Sequence, residues 1–211
     1  MKTLSSRFQQ KRRYLVGILV LVLIISVGLN LYDHFITLPQ MQAIMNDMRV
    51  RAFNSWLDEM TACAYILESA ETLEDFWHAR DHLYYAEGSV ATLLTGIDTG
   101  YYSEQYTKHL YYWINRATDS LEYAVQRIRA LVYKNLSALD DEFISSRIKN
   151  ITQAIHDIGL SLLTSGISER WTNIGVDPIQ QFRDKGKLTD MMNYCKQIAE
   201  NSEEITHYIG Y

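Results

Sequence analysis

Hydrophobic positions recur every three or four residues along most of the chain, which is the period of an amphipathic helix. The pattern predicts five helices in the body of the chain, at about 39–70, 73–95, 103–133, 141–164 and 187–209. Proline, which breaks helices, occurs only twice. No convincing strand run or hairpin turn interrupts the pattern. The sequence therefore predicts an all-α protein.

The apolar spacing is most regular in the third and fourth of these helices. In the third, the apolar positions are Leu110, Ile114, Ala117, Leu121, Ala124, Ile128 and Leu131. In the fourth, they are Ile144, Ile148, Ile151, Ile155, Ile158 and Leu162. Such spacing in consecutive helices is typical of antiparallel bundles. We therefore expect residues 41–211 to form an antiparallel bundle of about five helices.

One helix boundary is predicted where the apolar pattern continues without a loop. The segment Thr72-Leu73-Glu74-Asp75 resembles a capping box, with the Thr72 side chain as the cap and two acids in the first turn. We therefore expect two separate helices that meet near residues 70–72, rather than one long rod.

The most apolar segment is YLVGILVLVLIISVGLNLY, Tyr14–Tyr32, which has 19 residues and no charge. At about 1.5 Å per residue such a helix covers about 28 Å, close to the roughly 30 Å thickness of a bilayer core. We therefore predict a single transmembrane helix at residues 14–32, followed by a juxtamembrane linker at 33–40. The alternative is a cleaved signal peptide, because Ser26-Val27-Gly28 is a small-x-small site.

Charge is distributed unequally on the two sides of this segment. The residues before Tyr14 include no acid and five bases, Lys2, Arg7, Lys11, Arg12 and Arg13, and Asp33 follows the segment. The positive-inside rule predicts that residues 1–13 are a basic cytoplasmic tail and that the bundle lies outside the cytoplasm. The expected location is the cell membrane, crossed once, with the N-terminus in the cytoplasm.

The part of the chain after the span is acidic. Of the 20 lysines and arginines, five precede Tyr14, which leaves 15 basic residues against 25 acidic ones, a formal charge of −10. Such a domain repels phosphate backbones, so we expect no nucleic-acid partner. The expected partners are the membrane itself and another membrane or surface protein.

Three potential metal ligands lie one turn apart on the second predicted helix of the bundle. Glu74, His78 and His82 could face one point, and three such side chains suffice for a zinc site. The alternative is a solvated polar flank beside the core.

Di-iron bundles use an ExxH spacing, which Glu204-Ile205-Thr206-His207 matches and Asp75-Phe76-Trp77-His78 matches weakly. The supporting glutamates of such a site are missing from the apolar stripes.

Two cysteines, Cys63 and Cys195, both lie on apolar stripes, and the chain has no CxxC pair. In an exported protein they could form a disulfide, provided that their Cα atoms come within about 7 Å. The alternative is two separate buried thiols.

Tyrosine is abundant, with 15 residues and several doublets. For Tyr84-Tyr85 and Tyr111-Tyr112 we expect one ring to pack inward and its neighbour to lie at the rim. The rings of Tyr101, Tyr102 and Trp171 are expected in loops at the membrane-proximal end of the bundle, where they would contact headgroups or a partner. The alternative is that Trp171 caps the core.

No nucleophile elbow, glycine-rich phosphate loop or cofactor motif is present, and we predict no cofactor. The sequence therefore favours a non-enzymatic interaction protein, acting as a scaffold or as an accessory subunit of a membrane complex. The alternative is a sensory-type ectodomain that binds a small ligand or a metal.

Overall fold

The computed structural model describes the backbone of residues 2–94, 105–134, 141–164 and 186–210. Within these residues the chain forms six α-helices and one π-helical turn at Asp33–Thr37. The helices are α1 Lys2–Tyr32, α2 Leu38–Glu68, α3 Leu73–Leu94, α4 Gln105–Lys134, α5 Glu142–Thr164 and α6 Leu188–Ile209. These ranges contain no strand. The prediction of an all-α protein with five helices after the apolar segment is confirmed.

The chain divides into two compact units, Met1–Met45 and Asn46–Tyr211. In the first unit, the apolar side chains between Tyr14 and Tyr32 are exposed. The helix that carries them is long and apolar enough, by length and composition, to cross a membrane. Exposure of so many large aliphatic side chains is unfavourable in water and favourable in lipid, which is the environment that the sequence predicts.

The segment 33–40, expected as a linker, is helical. The amide N–H of Leu38 donates to the Asp33 carbonyl, which is the wider spacing of the π turn. Pro39 follows at once, and a proline cannot donate to the carbonyl four residues earlier and clashes with it. A widened turn relieves that clash, so helical backbone is assigned from Lys2 to Glu68 without a gap.

The second unit has a continuous apolar core to which every helix from α2 to α6 contributes. The apolar side of α3, which the sequence predicts from the same helical spacing, is buried at Phe76, Ala79, Leu83, Ala86, Val90 and Leu93. The stripes of α4 and α5 are buried as well, except that Leu131 and Ile148 are only partly covered. On α2 the apolar spacing of the sequence predicts a buried stripe that begins with Met41, Met45 and Met48. This prediction was wrong at its beginning, because Met41 and Met48 are about half exposed, at 53% and 49%.

Helices α2 and α3 pack against each other in opposite directions. The Ser89 hydroxyl donates to the Ser55 hydroxyl over 3.0 Å, and the His82 ring contacts the Glu59 carboxylate at 2.7 Å. Residue numbers therefore rise along one helix as they fall along the other. The break between the two helices is present at residues 69–72, as predicted.

The capping box at this break forms as the sequence indicates. The Thr72 hydroxyl oxygen accepts a hydrogen bond from the Asp75 amide at 3.3 Å, and the Asp75 carboxylate accepts one from the Thr72 amide at 2.8 Å. The Glu71 amide donates to the same carboxylate. These bonds, that of Glu71 most of all, lower the pKa of Asp75. They satisfy amides that the first turn of α3 leaves without helical partners.

Helices α5 and α6 are also antiparallel neighbours. The Tyr208 hydroxyl donates to the Asp141 carboxylate over 2.9 Å, and Arg147 pairs with Glu204 at 2.7 Å. Helix α4 packs against both α3 and α6. The five helices of the second unit therefore form a bundle, with α4 bringing α3 and α6 together.

Candidate functional site

The three predicted metal ligands do not converge in the structure. His78 lies 3.7 Å from the Glu74 carboxylate, and both side chains are mostly exposed. His82 turns the other way and contacts Glu59 of α2 at 2.7 Å. Among the described residues, no group of three or more histidine, cysteine, aspartate or glutamate side chains could hold a metal ion. These residues are arranged as two separate histidine–carboxylate pairs.

The two ExxH segments have structural partners of their own. Asp75 caps α3, and Glu204 pairs with Arg147. His78 lies beside Glu74, and His207 is exposed on α6. The structure therefore places these carboxylates in a helix cap and an ion pair, and not around a shared metal position.

Cys63 and Cys195 are free, fully buried thiols. Burial in the apolar core raises the pKa of Cys195 to about 12 and that of Cys63 further still. A thiol in this state is a poor nucleophile, because the thiolate is the reactive form. The structure corresponds to the alternative of two separate packed thiols.

The loop aromatics singled out from the sequence, Tyr101, Tyr102 and Trp171, lie outside the described residues. The doublets Tyr84-Tyr85 and Tyr111-Tyr112 are described, and they differ. Tyr111 is buried and Tyr112 is exposed, as predicted. For Tyr84-Tyr85 the prediction was wrong: both rings are exposed, because the flanking Leu83 and Ala86 already supply the core contacts of that turn.

A cavity of about 380 Å³ lies between α2, α3, α4 and α5. Its apolar walls include Leu67, Phe76, Ile128 and Ile144. Cavities of this size suit small ligands. A ligand-binding function would therefore use this cavity rather than His78 and His82. If so, shifts in melting temperature caused by a ligand should be lost in an Ile128→Trp variant, in which the larger side chain fills the cavity.

A polarised surface runs between α3 and α4. We call it the α3–α4 strip and define it by Trp77, Arg80, Tyr84 and Glu87 on α3 and by Asp119, Glu122 and Arg129 on α4. The α3 residues are spaced by three or four positions, so they share one side of the helix. That side adjoins the core stripe and faces α4, since Arg80 lies 3.7 Å from Glu122. The strip has one basic, aromatic end and one acidic end.

The basic end consists of two guanidinium groups on one indole ring. The central carbon of Arg129 lies 3.7 Å from the centroid of the Trp77 ring, and that of Arg80 lies 5.8 Å from it. Trp77 is 45% exposed and so remains open to solvent. The negative face of the indole ring attracts the positively charged guanidinium groups, and this attraction stabilises the stacking. This end therefore presents a flat cationic surface.

The acidic end is a cluster of three carboxylates. A hydrogen bond to Glu122, followed by burial and the Glu122 charge, raises the pKa of Glu87 to about 7. Burial also raises the pKa of Asp119, which accepts a hydrogen bond from Asn115 at 2.8 Å. Gln126 donates to Glu122 over 2.7 Å. Glu87 therefore takes up a proton at a higher pH than an ordinary glutamate.

The raised pKa of Glu87 makes the stability of the bundle depend on pH. Because Glu87 binds its proton more tightly in the folded protein than in the unfolded chain, the stabilising contribution is complete below the unfolded pKa and is lost as pH rises through about 7. We expect the free energy of unfolding of the unaltered protein to decrease from pH 5 to pH 8. This decrease should exceed that of the Glu87→Gln variant by on the order of 1 kcal/mol, which allows for solvent screening of this half-buried group. Urea titrations of the full chain at the two pH values measure the difference.

The control for this prediction is Asp81→Asn, on the exposed side of the same helix. In this variant the change in the free energy of unfolding between pH 5 and pH 8 should equal that of the unaltered protein. An identical pH dependence in Glu87→Gln and the unaltered protein would contradict the raised pKa of Glu87.

Comparisons with known proteins identified no relative of this chain. No family model, no curated protein and no solved structure matches it. The sequence patterns and the geometry of the described residues are therefore the basis for a functional proposal.

Proposed function

We propose that this chain is a membrane-anchored, extracytoplasmic interaction protein, a non-enzymatic helical bundle that acts as a scaffold or as an accessory subunit of a membrane complex. The α1 apolar segment is the anchor, and the second unit is the binding domain. The five basic residues before Tyr14 and Asp33 after Tyr32 support an outward-facing bundle.

The observation that carries the proposal is the composition of the α3–α4 strip and its immediate neighbour. Trp77 and Tyr84 are 45% and 66% exposed, Tyr85 is exposed beside them, and two arginines stack on the indole. Tryptophan, tyrosine and arginine dominate binding energy at protein interfaces, where they supply large areas at low entropic cost. Ordinary solvated helix faces carry small or charged residues instead.

Site-specific photocrosslinking of the full chain in its native membrane tests this role. We expect a photoreactive phenylalanine analogue at position 84 to form a discrete adduct with another membrane or surface protein. The matched control is position 65, where Tyr65 is exposed to a similar degree, 61%, on α2. The control should give no adduct.

Two results would contradict the proposed role. The first is the absence of any adduct from position 84. The second is the same set of adducts from positions 84 and 65, which indicates random collision rather than a binding surface.

A further inference from the structure

We propose that Trp77, Arg80 and Arg129, the basic end of the α3–α4 strip, form a receptor for a carboxylate side chain of the partner polypeptide. This inference rests on the proposed interaction role and specifies the chemistry of the partner. It is carried by the geometry of the two guanidinium groups, by one unsatisfied donor on each of them, and by a filled site of the same kind elsewhere in the bundle.

The two guanidinium groups are held ready for binding. Each group is planar, with five N–H donors in a rigid fork that matches a carboxylate. Stacking against Trp77 restricts both arginines, since the guanidinium of Arg129 lies directly over the indole ring at 3.7 Å and that of Arg80 lies beside it at 5.8 Å. Restricting long side chains before binding reduces the entropy lost when a ligand arrives.

One donor of each arginine has no hydrogen-bond partner within the described part of the chain. These donors are the buried Arg80 Nε and Arg129 Nη1 atoms. Glu122 forms an ion pair with Arg80 at 3.7 Å, which is beyond hydrogen-bond distance, and accepts a hydrogen bond from Gln126 instead. A buried N–H group without an acceptor is costly, so a side-chain rotation that brings it to an arriving carboxylate is favoured.

A filled version of the same arrangement occurs between α4 and α6. Arg116 lies over the Trp113 ring at 5.3 Å and donates two hydrogen bonds, from Nε and Nη2, to the Glu203 carboxylate at 2.8 and 3.0 Å. This is the bidentate pairing typical of arginine and carboxylate. The Trp77 site has the same indole and one more arginine, with no carboxylate in bidentate contact among the described residues.

The local charge also favours an anion. Burial, followed by the positive charge of Arg80, lowers the pKa of the Arg129 guanidinium. A carboxylate between the two arginines would raise the pKa of Arg129 again, because it supplies an opposite charge to two neighbouring like charges.

The acidic end of the strip favours a single carboxylate over a phosphate. Glu87, Asp119 and Glu122 would repel a more highly charged phosphate, as would the formal charge of −10 after the span. Glu87 follows Arg80 by seven positions, a rise of roughly 10 Å along a helix. The complementary partner therefore carries an acidic side chain and, roughly 10 Å from it, a basic one.

Side-chain NMR of the full chain tests the site directly. The protein, labelled with ¹⁵N-arginine and placed in nanodiscs of zwitterionic lipid, is titrated with blocked glutamate, N-acetyl-glutamate-methylamide. We expect the Nε–H signals of Arg80 and Arg129 to shift and saturate, with a dissociation constant on the order of 1–10 mM for so small a probe. The signal of Arg51, which pairs with Asp47, should not saturate.

Variants and a second probe separate the possible explanations. Arg129→Gln should raise the dissociation constant obtained from the Arg80 signal at least tenfold. Trp77→Phe, which keeps an aromatic ring, should retain the saturable shift of Arg80. Linear shifts of equal size at all arginines would overturn the site. Tenfold tighter saturation by inorganic phosphate would overturn the carboxylate assignment. Saturation by blocked glutamate without crosslinking at position 84 would support the carboxylate site and contradict the proposed interaction role.

Discussion

Replacing Trp56 by alanine is expected to lower the free energy of unfolding of the bundle by about 3–5 kcal/mol. The indole is fully buried in the core. Its Nε1–H donates to the Thr118 hydroxyl over 2.9 Å, and that hydroxyl donates in turn to the Ile114 carbonyl. The substitution opens a cavity and removes a buried hydrogen bond between α2 and α4. Urea unfolding of the full chain in mild detergent, followed by near-UV circular dichroism, measures the change.

Trp77→Ala is the matched control, because this tryptophan is 45% exposed. We expect it to cost less than about 1 kcal/mol. Trp56→Phe should fall between the two, since it keeps most of the buried ring and loses the hydrogen bond. Equal losses for Trp56→Ala and Trp77→Ala would contradict the described core.

The second large effect concerns the anchor. We expect Val20→Arg combined with Ile24→Arg to release the protein from the membrane, because each arginine at the centre of a span costs about 2.5–3.5 kcal/mol on insertion scales. The unaltered chain should stay with the membrane pellet after carbonate extraction, and the double variant should appear in the supernatant.

Val20→Leu with Ile24→Leu is the control and should remain in the pellet. Extraction of the unaltered chain by carbonate would contradict the anchor. An N-terminus just after residue 28, found by sequencing the purified protein, would instead support the cleaved signal peptide.

Helix positions were accessible from the sequence because they depend on local pattern. Helix α5 was expected at about 141–164 and is observed at Glu142–Thr164, and α6 was expected at about 187–209 and is observed at Leu188–Ile209. The apolar period identifies the buried side of each helix without knowledge of its neighbours. The Thr72 capping box is equally local, and it was predicted correctly.

Contacts between helices were not accessible in the same way. His82 was assigned to a metal stripe with His78, yet its partner is Glu59, 23 positions earlier on α2. The Trp77–Arg129 stack depends on the register between α3 and α4, which periodicity does not determine. A partial signal was present: Trp77, Arg80 and Tyr84 follow the helical spacing on one side of α3.

The segment 33–40 shows a different limit. A linker was expected because the helix after the apolar segment was predicted to begin at about residue 39, and proline usually begins a helix rather than continuing one. The structure accommodates the proline through the π turn at Asp33–Thr37. Widened turns of this kind have no clear sequence signature, so helical backbone across residues 33–40 was not predicted.

Protease accessibility in intact spheroplasts is the most direct test of the central claim, that a bundle outside the cytoplasm is tethered by one span. External protease should digest the part of the chain after Asp33 while a cytoplasmic marker protein stays intact. A short fragment that contains the basic tail and Tyr14–Tyr32 should survive in the membrane. Complete protection of the bundle until the cells are lysed would contradict the claim.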